Sequence, residues 1–362
     1  MNNKIMSFLF VGILIFFFIF SIFLPDKEIS YSERRKLSSF PEISFDNIIS
    51  GDFFTDLNDY LVEQFPLRDG FRKLKGIFAS NVLNKKENNG VFIRNDKIYQ
   101  SNSSINYKSI DHMINLINNI KNNYIKSNNI YYSIIPDKNY YLKDTDIPRL
   151  DYNELVNIFE QKIDNMKYIN IFDTLDLESY YNTDIHWRQE KLENTTNKIL
   201  VEIGNQITSL PNKEYKYSKF YGALYGQVAS NLKPDELIYL SNDELDNIKI
   251  YNYEKKEYQK VYDSNNLSNI DSYDVFLSGA TSLLIIENEK QNNGKELVLF
   301  RDSFGSSIAP LLISSYSKIT IIDLRYIGSN LLNSIEEIKF NENQDVLFLY
   351  SVPIINNSFT LK

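Results

Sequence analysis

Two short stretches of this chain carry residue types suited to acyl chemistry. The first is Leu297-Val298-Leu299-Phe300-Arg301-Asp302-Ser303-Phe304-Gly305-Ser306-Ser307, in which four apolar residues run into Arg-Asp-Ser and then into the helix-like Ile308 to Ser314. The pattern predicts a buried strand, a sharp turn and a helix, with Ser303 on the turn. A hydroxyl there is exposed at the carboxyl end of the strand, and N–H groups at the helix start can meet a developing oxyanion. A plainer reading makes this serine a helix cap. The second stretch, Tyr181-Asn182-Thr183-Asp184-Ile185-His186-Trp187, holds one of two histidines and the only tryptophan. In an extended segment Asp184 and His186 project from one face, so the carboxylate can fix one imidazole tautomer while the other ring nitrogen meets a hydroxyl. Here the plainer reading has Asp184 capping a helix that begins near Trp187.

Together the two stretches resemble the DHHW family, relatives of the alginate O-acetyltransferases of bacterial cell envelopes within the SGNH hydrolase class. Asp184-Ile185-His186-Trp187 matches the family's Asp-x-His-Trp signature, and Phe300-Arg301-Asp302-Ser303-Phe304-Gly305 matches its serine block. The resemblance implies an α/β, SGNH-hydrolase-like three-layer fold with a mostly parallel central sheet. It also implies a catalytic triad of Ser303, His186 and Asp184, acting on a cell-envelope or exported polysaccharide. Acetyl transfer, an extracytoplasmic catalytic domain and a multi-pass membrane partner that delivers acetyl groups follow from the resemblance alone. A carbohydrate esterase of the same fold and a catalytically silent envelope scaffold are the alternatives. Two positions depart from the pattern. Ile185 replaces a histidine but points away from its neighbours in an extended segment. Arg301 stands where these enzymes usually carry glycine, and it bears on the oxyanion hole.

With 362 residues, 43% hydrophobic and 24% charged, the chain can bury one large core or two small ones. A formal net charge of -8 argues against a nucleic-acid partner, which needs a concentrated basic surface. The absence of cysteine removes disulfides, thiolate catalysis and cysteine-based zinc sites, and two histidines are too few for a His-rich metal centre. No cofactor is expected.

The elements that must position these residues follow in chain order. Ile5 to Leu24 is almost continuously apolar, about 20 residues, the length a helix needs to cross a bilayer core. It runs directly into Leu24-Pro25-Asp26-Lys27 without a small-residue cleavage site, so residues 1–25 are expected to form a retained single-pass anchor. Residues 26–90 are read as a juxtamembrane tether and helices. Arg34, Arg35 and Lys36 are in reach of anionic headgroups or simply solvated. Two helices with an aromatic packing stripe are expected between Asp46 and Asn81, broken at Pro66.

Residues 91–362 are read as the catalytic domain, opening on a hairpin around Asn95-Asp96. Strands at Ile130, Ile169, Leu297, Ile319 and Val346, separated by helical segments, predict a parallel sheet between helices. Ile248 to Tyr253 and Tyr258 to Tyr262 alternate like a hairpin beside it. Pro136-Asp137-Lys138 ends a strand where open α/β sheets bind ligands, and Lys138 is read as a substrate contact or a solvated turn residue. Tyr215 to Gln227 is expected to be a loop lining a glycan groove. Val275 to Gly279 is expected to end a short strand, with Gly279 a candidate second oxyanion donor or a plain turn residue. Arg325 and Tyr326, at the exit of the Ile319 strand, resemble the segment that follows the family's serine block, and the resemblance implies that they face the substrate. His112 is expected to be remote from all of these.

Overall fold

In the computed structural model, residues 3–30, 33, 35–81, 87, 89–127, 129–143, 149–228, 232–291 and 293–362 are described, which leaves Arg34 outside. Met1–Ile93 and Tyr225–Leu232 form one unit, and Arg94–Leu224 with Lys233–Lys362 forms a second.

The first unit opens with α1 (Asn3–Phe23). Its Lys4–Ser21 window has a mean hydropathy of 2.4, so this helix is long and apolar enough to cross a membrane. Three further helices follow: α2 (Phe45–Ser50), α3 (Asp52–Glu63) and α4 (Arg68–Asn81). The extra break comes from Gly51, whose φ of 88° lies in the left-handed region and ends α2. The expected break at Pro66 separates α3 from α4. The tether is not simply solvated. Ile29–Ser30 pairs antiparallel with Arg35–Lys36, and Glu33 takes ion pairs from Arg68 at 2.6 Å, Arg72 at 3.1 Å and Arg35 at 3.2 Å.

The second unit is built on one sheet of eight strands: β1 (Ile130–Ile135), β2 (Lys167–Tyr168), β3 (Lys249–Asn252), β4 (Glu257–Lys260), β5 (Leu283–Glu287), β6 (Glu296–Arg301), β7 (Lys318–Ile322) and β8 (Asp345–Ser351). Their order is β4-β3-β5-β7-β6-β8-β1-β2. The pairings from β7 through β6, β8 and β1 to β2 are parallel, and those joining β4, β3, β5 and β7 are antiparallel. The hairpin expected near residue 250 is therefore part of the main sheet, attached through β5.

Strand β6 shows why the parallel strands read as apolar runs. Val298 and Phe300 enter one core, shared with α5 (Tyr107–Tyr124) and α6 (Tyr152–Lys162). Leu297 and Leu299 enter the other, shared with α7 (Glu193–Ile203) and α8 (Gly305–Leu312). Alternate residues are buried on opposite faces, so both parities must be apolar. The result is the expected α/β three-layer fold with a mostly parallel sheet.

Two local expectations are corrected. Lys213–Phe220 is a strand paired antiparallel with Asp235–Ser241, not a loop. Its partner lies beyond the next turn, and alternation in a half-exposed hairpin is weak. Ser272–Val275 is a 3-10 turn rather than a strand, started by the Asp271 carboxylate accepting the Tyr273 N–H.

Candidate active site

Strand β6 ends at Arg301 and α8 begins at Gly305, so Ser303 lies half-buried on the turn between them. Asp302 braces that turn. Its Oδ1 accepts the Phe304 N–H at 2.9 Å, and its Oδ2 accepts the Ser351 N–H at 2.8 Å and hydroxyl at 2.6 Å, tying the ends of β6 and β8 together. Gly305 is required there, because a Cβ would lie 2.5 Å from Cβ of Arg301.

Against Ser303 stands the imidazole of His186. Its Nε2 is 2.7 Å from Ser303 Oγ, and its Nδ1 is 2.5 Å from Asp184 Oδ1. An ionised carboxylate only accepts, so Nδ1 carries the hydrogen toward Asp184 and Nε2 is left to accept the Ser303 hydroxyl. Asp184 also accepts the His186 N–H at 2.9 Å and, through Oδ2, the Ala223 N–H at 2.7 Å. The juxtaposition comes from a tight turn rather than an extended segment. The bond from the Asp184 side chain to the backbone two residues on bends the chain, and Tyr181 N–H closes the loop on His186 O at 3.2 Å. The helix expected near Trp187 begins instead at Glu193.

Opposite charges clamp the loop from two sides. The buried Asp235 carboxylate accepts the Asn182 and Thr183 N–H groups at 2.9 and 2.7 Å and the Thr183 hydroxyl at 2.7 Å. The buried Lys138 ammonium donates to the carbonyls of Tyr181, Asn182 and Asp184 at 3.0, 3.3 and 2.8 Å. Burial pushes the Lys138 pKa down to about 7, against the pull of the Asp184 and Asp235 carboxylates. Lys138 is thus neither solvated nor a substrate contact. Gly222 completes the support, since a Cβ there would come within 2.2 Å of the Asp184 Cβ.

Three buried side chains tie the His186 segment to the start of α8, and one of them touches the imidazole. Tyr273 stacks on the His186 ring and donates its hydroxyl to Ser307 Oγ at 2.8 Å. Trp187 donates its indole N–H to Phe304 O at 3.0 Å and Ser307 Oγ at 2.8 Å. Gln189 donates to Ser307 O at 2.7 Å and accepts the Leu240 N–H at 2.7 Å. Tyr273 and Asp235 gave no sequence signal, being one of 26 tyrosines and one of many acids.

The remaining predicted residues make other contacts. Gly279 donates its N–H to Phe276 O at 3.1 Å within a turn, which removes it from the oxyanion role. Arg301 is fully buried, donating to Asp323 Oδ2 at 3.1 Å, so its guanidinium does not line the site. Its stem passes beneath the start of α8, in the space that Gly305 leaves. Arg325 is half-buried and also bound to Asp323, at 2.9 and 2.7 Å, with its guanidinium 5.4 Å from the centre of the exposed Tyr326 ring. His112 bonds Ser358 Oγ at 2.9 Å, in a separate cluster with Phe359. Among the described residues no group of three or more acidic or histidine side chains could hold a metal.

No protein-family model matches the chain, and no curated protein matches it. Its structure is similar to that of a DHHW family protein from Eubacterium siraeum, at 18% identity and a TM-score of 0.62, covering 76% of this chain and 94% of that one. It is also similar to PatB1 from Bacillus cereus, at 18% identity and a TM-score of 0.58 over 73% of this chain and 96% of that one. The structure of PatB1 with a sulfonyl adduct gives 19% identity and a TM-score of 0.56 over 72% and 93%. At these identities the likeness is one of fold.

Proposed function

We propose that the chain is a membrane-anchored, extracytoplasmic serine O-acyltransferase that transfers an acetyl group to a cell-envelope or exported polysaccharide. The observation that carries this reading is the unbroken contact from Ser303 Oγ to His186 Nε2, 2.7 Å, and from His186 Nδ1 to Asp184 Oδ1, 2.5 Å. His186 takes the Ser303 proton as Oγ attacks the acyl carbonyl, and Asp184 stabilises the imidazolium that forms. The Ser303 N–H, on the turn just before α8, donates to the developing oxyanion. Collapse of the tetrahedral species breaks the donor ester bond, His186 protonates the leaving oxygen, and the acetyl group stays on Ser303. A polysaccharide hydroxyl, deprotonated by the same imidazole, then attacks the acetyl carbonyl, the bond from Ser303 Oγ to the acetyl group breaks, and His186 returns the proton to Oγ.

Further support comes from the matching Asp-x-His-Trp and serine blocks and from the fold shared with a DHHW family protein and PatB1. Helix α1 suits a single-pass anchor. The single candidate span among the described residues offers no route for an acetyl donor through a bilayer, and we assign that delivery to a multi-pass membrane partner.

PatB1 has been solved with a sulfonyl adduct, and an aryl sulfonyl fluoride is the corresponding probe for an activated serine here. The full-length protein in detergent is expected to gain one sulfonyl group on the Ser303 peptide and to turn over a chromogenic acetyl ester, and Ser303→Ala is expected to do neither. Turnover that survives Ser303→Ala would overturn the reading. Adding an oligosaccharide acceptor separates transfer, seen as acetylated sugar, from hydrolysis, seen as acetate alone.

A further inference from the structure

An apolar stripe on α4 is partly exposed next to the candidate membrane span. Successive residues of a helix turn by about 100°, which gathers Phe71, Leu74, Ile77 and Phe78 on one arc and sets Lys73 and Lys75 at its two borders. These four apolar side chains are 44%, 62%, 40% and 52% exposed.

The neighbourhood selects what covers them. Phe17 of α1 stacks on Phe65 with ring centres 5.2 Å apart and meets Phe71 edge-on at 5.8 Å. Phe17 lies about 1.7 turns before the end of α1 at Phe23, roughly 9 Å along the axis. With α1 in a bilayer, Phe71 is held about that far from the helix exit, and about 5–10 Å is the depth at which an interfacial helix rests. Charge agrees with this placement. The chain carries a net -8, yet α4 has Arg68, Arg72, Lys73 and Lys75 against the single acid Asp69. Arg68 and Arg72 are engaged by Glu33, whereas Lys73 and Lys75 are in no ion pair among the described residues.

We propose that α4 is an interfacial membrane-binding helix: Phe71, Leu74, Ile77 and Phe78 enter the acyl boundary of the bilayer that α1 crosses, and Lys73 and Lys75 meet anionic headgroups. Two contacts then hold the first unit to the membrane, and α4 lies along its plane.

The chain has no cysteine, so single introduced cysteines can be labelled without background. The test uses the full-length protein in nanodiscs of phosphatidylcholine and phosphatidylglycerol, with an environment-sensitive fluorophore at Leu74→Cys, Phe78→Cys, Asp69→Cys or Phe8→Cys. Nitroxide-bearing lipids are expected to quench positions 74 and 78 several-fold more than 69, approaching position 8 within α1. Aqueous iodide should give the reverse order, and omitting phosphatidylglycerol should weaken the contrast. Iodide access at 74 and 78 equal to that at 69, with position 8 still quenched by lipid, overturns the proposal while leaving the span in place. Shielding of 74 and 78 from both quenchers also overturns it, because a protein surface or a second copy then covers the stripe. Iodide access at position 8 removes the span and the proposal together.

Discussion

The imidazole of His186 lies flat against the ring of Tyr273, with centroids 4.0 Å apart and planes 9° from parallel. Asp184 fixes the ring edge-on, and Tyr273 fixes it from its face, so Nε2 is aimed at Ser303 in both remaining directions. Tyr273→Phe keeps the stacking and loses only the bond to Ser307. It is expected to retain most esterase activity, whereas Tyr273→Ala frees the ring and should lower kcat roughly 10²-fold. Equal kcat in the two variants would show that stacking does not position the base.

Replacing Asp184 by Asn keeps the shape of the loop but offers Nδ1 an amide in place of a carboxylate. A loss in kcat on the order of 10⁴-fold is expected, the size found for the same change in a serine-protease triad. His112→Ala, in its separate cluster, should leave kcat unchanged. Steady-state kinetics on an acetyl ester check both.

Gly222→Ala adds a single methyl group where there is no room, because its Cβ would sit 2.2 Å from the Asp184 Cβ and 2.4 Å from its Cα. The loop must shift by an ångström or more, which should cost roughly 10²-fold in kcat. Sulfonyl labelling of Ser303 should slow in parallel, since it needs the same base. A variant with wild-type labelling rate and wild-type kcat would show that Asp184 tolerates displacement.

Lys138 supplies a pH-dependent prediction. Its pKa is about 7 in the folded chain against 10.5 ordinarily, so between those values the unfolded chain keeps a proton that the folded chain has released. Stability therefore rises with pH across that window, and the cost of burying the charge is fully present below pH 7. Lys138→Met should remove this rising slope in urea midpoints measured over the same window. Persistence of the slope in the variant would assign it to another group.

Legibility in the sequence tracks how local each signal is. An apolar run that ends in Arg-Asp-Ser and a lone Asp-x-His-Trp announce themselves within a few residues, and the structure brings Ser303, His186 and Asp184 together. Four of the five parallel strands are likewise visible as apolar runs, because both faces of each are covered, whereas β2 is a two-residue edge strand, Lys167–Tyr168, with its lysine exposed. What the sequence conceals depends on distant partners. Asp235 grips Thr183 from 52 residues away, and nothing beside it in the chain marks it as special. Arg301 looks like a charge set against the oxyanion site until Asp323, 22 residues on, is seen to hold it underneath. Gly279 has the freedom expected of it, with a φ of 83°, but spends its N–H on its own turn.

Strand β8 is the last of the eight to be synthesised, yet it lies between β1 and β6. A chain made from its N-terminus holds one edge of β1 open until roughly two hundred further residues have been added. For that interval Asp302 also lacks the Ser351 hydroxyl and N–H that brace the serine turn. The turn that carries Ser303 is thus braced only when the final strand slots into the gap. A chain interrupted before that point carries Ser303 on an unbraced turn and an open strand edge, which chaperones and proteases can recognise.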